Sequence, residues 1–160
     1  MAAKKKLSTI TFNDDFGLSN PVYTFEKAWG DKRDLKVSFK GEVVSDGCAP
    51  DSPVIAANST YIGPVTMRFD KMVSGVSLDA GCFDDVRSTK VTVFGKNGFK
   101  VTKIVNPNDD GSYHHFNFQY GENVINRVTI IPVGKEKSGY AVDNVQVSYR
   151  PETVKVKKAD

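Results

Sequence analysis

Apolar and polar residues alternate singly along much of this chain, most clearly through residues 64–104. Val65, Met67 and Phe69 share one parity, with Thr66, Arg68 and Asp70 on the other. Thr89, Val91 and Val93 repeat the pattern against Lys90 and Thr92, and Phe99 and Val101 repeat it against Lys100 and Thr102. A period of two is what a strand needs when one face is buried and the other is wet. Between the last two runs stands Gly95-Lys96-Asn97-Gly98. Asn-Gly readily takes the positive φ angles of a tight turn, so these runs are predicted to form a hairpin.

The same reading extends to the rest of the chain. Residues 7–12 read as a strand with Ile10 and Phe12 inward, followed by a loop through Asn13, Asp14, Asp15 and Gly17. Residues 22–25 form a short strand. Residues 26–34, which hold Trp29, read as a loop or a single helical turn. Residues 35–44 read as one strand with Leu35, Val37 and Phe39 on one face, and 45–61 as a long irregular section. A long loop in a compact domain is a candidate contact surface. Residues 105–112 are a turn. Residues 113–120 place His114, Phe116, Phe118 and Tyr120 on one face, and 126–133 place Val128 and Ile130 inward. Along 140–149 the alternation slips, with Val142 on one parity and Val145 and Val147 on the other. A one-residue bulge at Asp143-Asn144 would bring all three to the core. With about nine or ten strands and no convincing helix, the expected fold is all-β: a two-sheet antiparallel sandwich, jelly-roll-like.

Length fits one domain, expected over residues 7–150, with a basic arm at 1–6 and a basic tail or added edge strand at 151–160. The net charge is +3, but Lys4, Lys5, Lys6, Lys155, Lys157 and Lys158 lie at the ends, and without them the middle is slightly acidic. No nucleic-acid partner is therefore expected. The opening MAAKKKLSTITF lacks the apolar stretch of a signal peptide, and no run approaches the roughly 18 apolar residues of a membrane span. The expected location is a virion, or the exterior reached without a classical signal peptide, with the cytoplasm left open. Cys48 and Cys82 fit either two buried thiols or a disulfide between their loops, and their spacing fits no zinc pattern.

Three pieces of the chain resemble a known family. VSGVSLDAGCFDD, STKVTVFGKNGFKV and YAVDNVQVSY are similar to the V-x-G-V-S-L-D-x-G-x-F-D phrase, the V-T-V-Y-D-x-x-G strand and the closing F-A-I-D-N-V strand of bacterial jelly-roll domains. These are galactose-binding-like sandwiches common in secreted and surface proteins, many with sorting tails of the PEP-CTERM type. The resemblance implies a galactose-binding-like sandwich with a non-enzymatic role in glycan binding, adhesion or packing against other proteins. In some such domains a structural calcium lies near the chain ends.

Several residues could carry chemistry. Asp14 and Asp15 beside Asn13, the acids Asp79, Asp84 and Asp85 around Cys82, and Asp143 in the expected bulge could supply the hard oxygens that calcium requires. Solvated turn aspartates are the competing reading. Of these, Asp14, Asp15 and Asp143 are the candidate calcium ligands. His114 and His115 are adjacent on a strand and point to opposite faces, so they cannot share a metal, and no enzyme is expected. Trp29, Tyr23, Tyr61 and Tyr113 are the rings on which a sugar could stack, against the alternative that they fill the core. The lysine-rich ends could clasp protein partners or further copies of the chain. The leading expectation is a non-enzymatic structural or interaction protein, such as a phage capsid decoration or tail accessory protein. The alternative is a carbohydrate-binding module of the galactose-binding-like type.

Overall fold

The computed structural model describes residues 5–6, 9–25, 34–44, 53–58, 63–81, 89–105, 114–132 and 141–149. Its strands are β1 (Lys5–Lys6), β2 (Val22–Phe25), β3 (Leu35–Lys40), β4 (Glu42–Val44), β5 (Val54–Ala56), β6 (Val65–Val73), β7 (Gly75–Gly81), β8 (Thr89–Gly95), β9 (Lys100–Val105), β10 (His114–Gln119), β11 (Ile125–Pro132) and β12 (Ala141–Tyr149). They form two antiparallel sheets. The first has the order β10-β7-β12-β5-β4, with β1 also on β12, and the second has the order β2-β3-β6-β11-β8-β9. The fold is the two-sheet, jelly-roll-like sandwich that the alternation predicts.

Between the sheets lies one large core. Val37 and Phe39 of β3, Val65 and Met67 of β6, Val91 and Val93 of β8 and Val128 and Ile130 of β11 face Val76 and Leu78 of β7, Phe116 and Phe118 of β10 and Val145 and Val147 of β12. Each inward set is one parity of its strand, which is why period two was informative. Apolar burial of this extent is the main favourable term for the fold.

The predicted hairpin forms between β8 and β9. Asn97 (φ +55°) and Gly98 (φ +79°) occupy the two positive-φ positions, and the Phe99 N–H donates to the Lys96 carbonyl at 3.0 Å. The predicted bulge forms as well. Asp143 pairs with Asp79 while Gln146 pairs with Ser77, so three steps along β12 match two along β7. Asn144 takes φ +51° there, and Val142, Val145 and Val147 are all fully buried.

Other expectations are corrected. The strand expected over 35–44 breaks at Gly41, where the chain leaves the second sheet for the first. A Cβ at Gly41 would stand 2.5 Å from the Ala56 carbonyl oxygen, so the crossing needs glycine. The chain crosses again at Ser74, between β6 and β7. The Ser74 N–H donates to Ser148 O and its carbonyl accepts from the Tyr120 N–H, both at 2.9 Å. Of residues 7–12, only the bridge Ile10–Val145 pairs among the described positions. Phe12, at φ +64°, turns the chain away from the sheet. The section expected to be irregular contains β5. Of the expected basic arm, Lys5 and Lys6 are described, and they pair with Tyr149 and Ser148.

Candidate functional site

Residues 9–15 and 23–25 line an open cleft of about 300 Å³. Its shape follows from the turn at Phe12. A bulky residue at positive φ costs roughly 1–3 kcal/mol, so the surroundings must hold it there. Here the Phe12 ring is 2% exposed and packs edge-on against Tyr23 (centroids 5.7 Å) and Phe39 (5.2 Å). The Asp15 N–H closes the turn onto the Phe12 carbonyl at 3.1 Å. With Phe12 pinned inward, Asn13 and Asp14 face solvent and Asp15 lies half-buried in the wall.

Tyr23 lines the same cleft. Its hydroxyl donates to Asp15 Oδ2 at 2.6 Å. Burial, reinforced by this hydrogen bond and by the Asp15 charge, pushes the Tyr23 phenol well above its ordinary value, so it stays protonated. Carboxylates, an amide, threonine hydroxyls and the Tyr23 and Phe25 rings thus converge on one opening. Next along the chain after Asp15, Phe16 is 65% exposed and Leu18 is 50% exposed.

A second polar group lies on the outer face of the first sheet. His115 Nδ1 is 2.7 Å from Asp79 Oδ1, and the Asn144 amide donates to Asp79 Oδ2 at 3.0 Å. The Asn144 N–H donates to Asp143 Oδ1 at 2.8 Å. This network braces the bulge. Among the described residues no hydroxyl or thiol hydrogen-bonds the His115 imidazole.

The structure brings three of the sequence-predicted site residues together: Tyr23, Asp14 and Asp15. Asp143 is elsewhere, buried in the β12 bulge with its own partners. Among the described residues no group of three acidic, histidine or cysteine side chains could hold a metal ion, so the calcium set Asp14–Asp15–Asp143 does not assemble. Trp29, Tyr61, Tyr113, Cys48 and Cys82 lie outside the described residues. Sequence reasoning missed Phe16, because an apolar ring in a loop carries no signal that it will face water. No helix among the described residues is long and apolar enough to cross a membrane.

No protein-family model matches the chain, and no curated protein matches it. Solved structures do match in general shape. A mutant of the family 29 carbohydrate-binding module CBM29-2 aligns over 91% of this chain and 92% of its own, at 14% identity and a TM-score of 0.48. A family 11 carbohydrate-binding module from Clostridium thermocellum, in complex with a β-1,3-1,4-mixed-linked tetrasaccharide, aligns over 90% and 94%, at 14% and 0.42. The family 32 module of NanJ from C. perfringens, in complex with galactose, aligns over 80% and 99%, at 12% and 0.39. At such identities and TM-scores none of them carries a function to this chain.

Proposed function

We propose that this chain is a non-catalytic carbohydrate-binding module that takes a sugar unit in the cleft between residues 9–15 and 23–25. The observation that carries this reading is the convergence of Asp14, Asp15 and the Tyr23 hydroxyl on one open cleft. A sugar presents hydroxyls around its rim and C–H groups on its faces. Carboxylates accept from hydroxyls through strong, charge-assisted bonds. Asp15 has one oxygen committed to Tyr23 and one left for a ligand. Phe16, exposed and next in the chain after Asp15, offers an apolar face for a sugar ring. A volume of about 300 Å³ is at the small end for ligand pockets, which suits a single terminal sugar.

A non-catalytic role is supported by how the acids are placed. Glycoside hydrolysis needs two carboxyl groups flanking the scissile bond. Asp14 and Asp15 are neighbours in the chain, and among the described residues no third acid lines the cleft. A virion subunit clasped through basic arms is less well supported, because Lys5 and Lys6 pair within their own chain.

A glycan array followed by calorimetry tests this. The expected result is a saturable hit that Asp15→Asn and Phe16→Ala each weaken by about tenfold, with no hydrolysis products. A wild-type protein that bound no glycan, or bound one equally well with both substitutions, would end the reading.

A further inference from the structure

The outer face of the second sheet carries a concentration of positive charge that the composition hides. Lys36 and Lys40 (β3), Arg68 (β6), Lys90 (β8), Lys100 (β9) and Arg127 (β11) all lie on it, because each has the parity opposite to the core-facing residues beside it, Leu35, Val37 and Phe39, Met67 and Phe69, Val91, Val101 and Val128. Among the described residues, the acids that stand against these six are Asp70 and, at the entry to β3, Asp34. Asp70 is occupied, accepting from Lys71 Nζ at 3.3 Å and from the Lys36 N–H at 2.9 Å. Among the described residues none of the six cations is in an ion pair.

Register turns this charge into a line. Ser38 pairs with Arg68, Arg68 with Arg127, Arg127 with Phe94 and Phe94 with Lys100. Two arginines thus stand directly opposite each other on adjacent strands, an arrangement that costs stability. The Arg127 guanidinium lies 4.0 Å over the Phe94 ring, and its Nε is buried without a hydrogen-bond partner. Beside this row runs a second one, in which Thr66 pairs with Thr129, Thr129 with Thr92 and Thr92 with Thr102. Cations without ion pairs, in a line flanked by a row of threonines in which Thr92 and Thr102 bond each other at 3.0 Å, form a surface that a polymeric anion would complete.

We propose that this face binds an acidic polysaccharide, one with sulfate or carboxylate groups along an extended chain. A polymer laid across the strands meets cations at intervals of one and two strand spacings, about 5 and 10 Å. Nucleic acid fits less well. Single strands are held by stacking bases on free rings. Phe94, the one aromatic on this face among the described residues, is covered by Arg127 and approached by Lys100 Nζ at 5.9 Å. Duplexes are entered by a helix or a narrow ribbon, and a six-stranded face is too broad for the groove. The surface is separate from the cleft and does not depend on the reading given to it.

The test is binding of the full chain to dextran sulfate and to polygalacturonate over a salt series, with neutral dextran and a DNA oligonucleotide alongside. One or both acidic polysaccharides should bind, and a comparison of the two identifies sulfate or carboxylate as the preferred anion. The variant Lys40→Ser/Arg68→Thr/Lys100→Ser should weaken binding by about tenfold or more and flatten the log–log salt slope by about 3. All three side chains are exposed, so the variant should fold, as circular dichroism would check. Asp15→Asn should leave this binding intact, which separates it from the cleft. No binding of either polysaccharide at low salt, an unchanged affinity in the triple variant, or equal or tighter binding of the oligonucleotide would each overturn the proposal.

Discussion

Replacing Arg68 with threonine should stabilise the protein, whereas most strand substitutions destabilise. Arg68 stands opposite Arg127 in register, with Cα atoms about 5 Å apart. The Arg127 head is held on Phe94, so relief must come from Arg68 swinging outward. Two unit charges about 6 Å apart repel by roughly 0.7 kcal/mol at the dielectric of water, and by more where strands displace solvent. Against this stands the loss of some stem packing from an exposed side chain. Threonine is also a favoured strand residue and would extend the chemistry of the neighbouring threonine row. The net expectation is a gain of about 0.5 kcal/mol, or roughly 1–2 °C in Tm for a domain of this length. Urea unfolding at about 0.01 M and at 1 M salt tests the cause, because the Debye length falls from roughly 30 Å to 3 Å between them. The gain should be present at low salt and absent at high salt. A loss of stability at low salt, or a gain independent of salt, would refute the claim that the two arginines repel across β6 and β11.

Two further outcomes are expected. Asn144→Ala should cost about 1–2 kcal/mol in a denaturant melt and Asn144→Gly about 1 kcal/mol less than that, because glycine keeps the φ of +51° while both lose the bond to Asp79; equal losses would show that the backbone angle is not strained. The Tyr23 phenol is raised in the folded state above its ordinary 10.0, so its contribution to stability is complete below that pH and is lost as pH rises beyond it; Tyr23→Phe should show a shallower alkaline fall than wild type, and coincident limbs would remove Tyr23 from the account.

How much of this could be read in the sequence depended on the range of the interaction concerned. The β8–β9 hairpin was legible because Asn97-Gly98 fixes its own dihedrals. The bulge was legible because three valines on mismatched parities cannot all be buried unless one residue is inserted. The strand crossings were not legible. Gly41 reads as an ordinary glycine inside an alternating run, and only the approach of the Ala56 carbonyl shows why the strand must break there. The turn at Phe12 was hidden for the opposite reason. Its ring is inward, as the alternation predicts, while its backbone is not extended, and the partners that hold it, Tyr23 and Phe39, come from other strands.

Charge shows the same divide more sharply. Removing the terminal lysines leaves a slightly acidic middle, and the inference from that sum to no nucleic-acid partner treats charge as evenly spread. Register separates it instead. Asp14 and Asp15 border the cleft, Asp79 and Asp143 lie on the first sheet, and the cations without ion pairs collect on the second. Arg68, Arg127 and Lys100 become neighbours only through pairings among β6, β11, β8 and β9, none of which a net-charge sum can contain. Self-repulsion on that face is a cost the fold carries with none of the six cations in an ion pair among the described residues. A cost of this kind is retained most readily where an outside anion lowers it, and this ties the Arg68→Thr stability measurement to the polysaccharide assay. If the same substitution that stabilises the free protein also weakens polyanion binding, the repulsion and the binding share one cause.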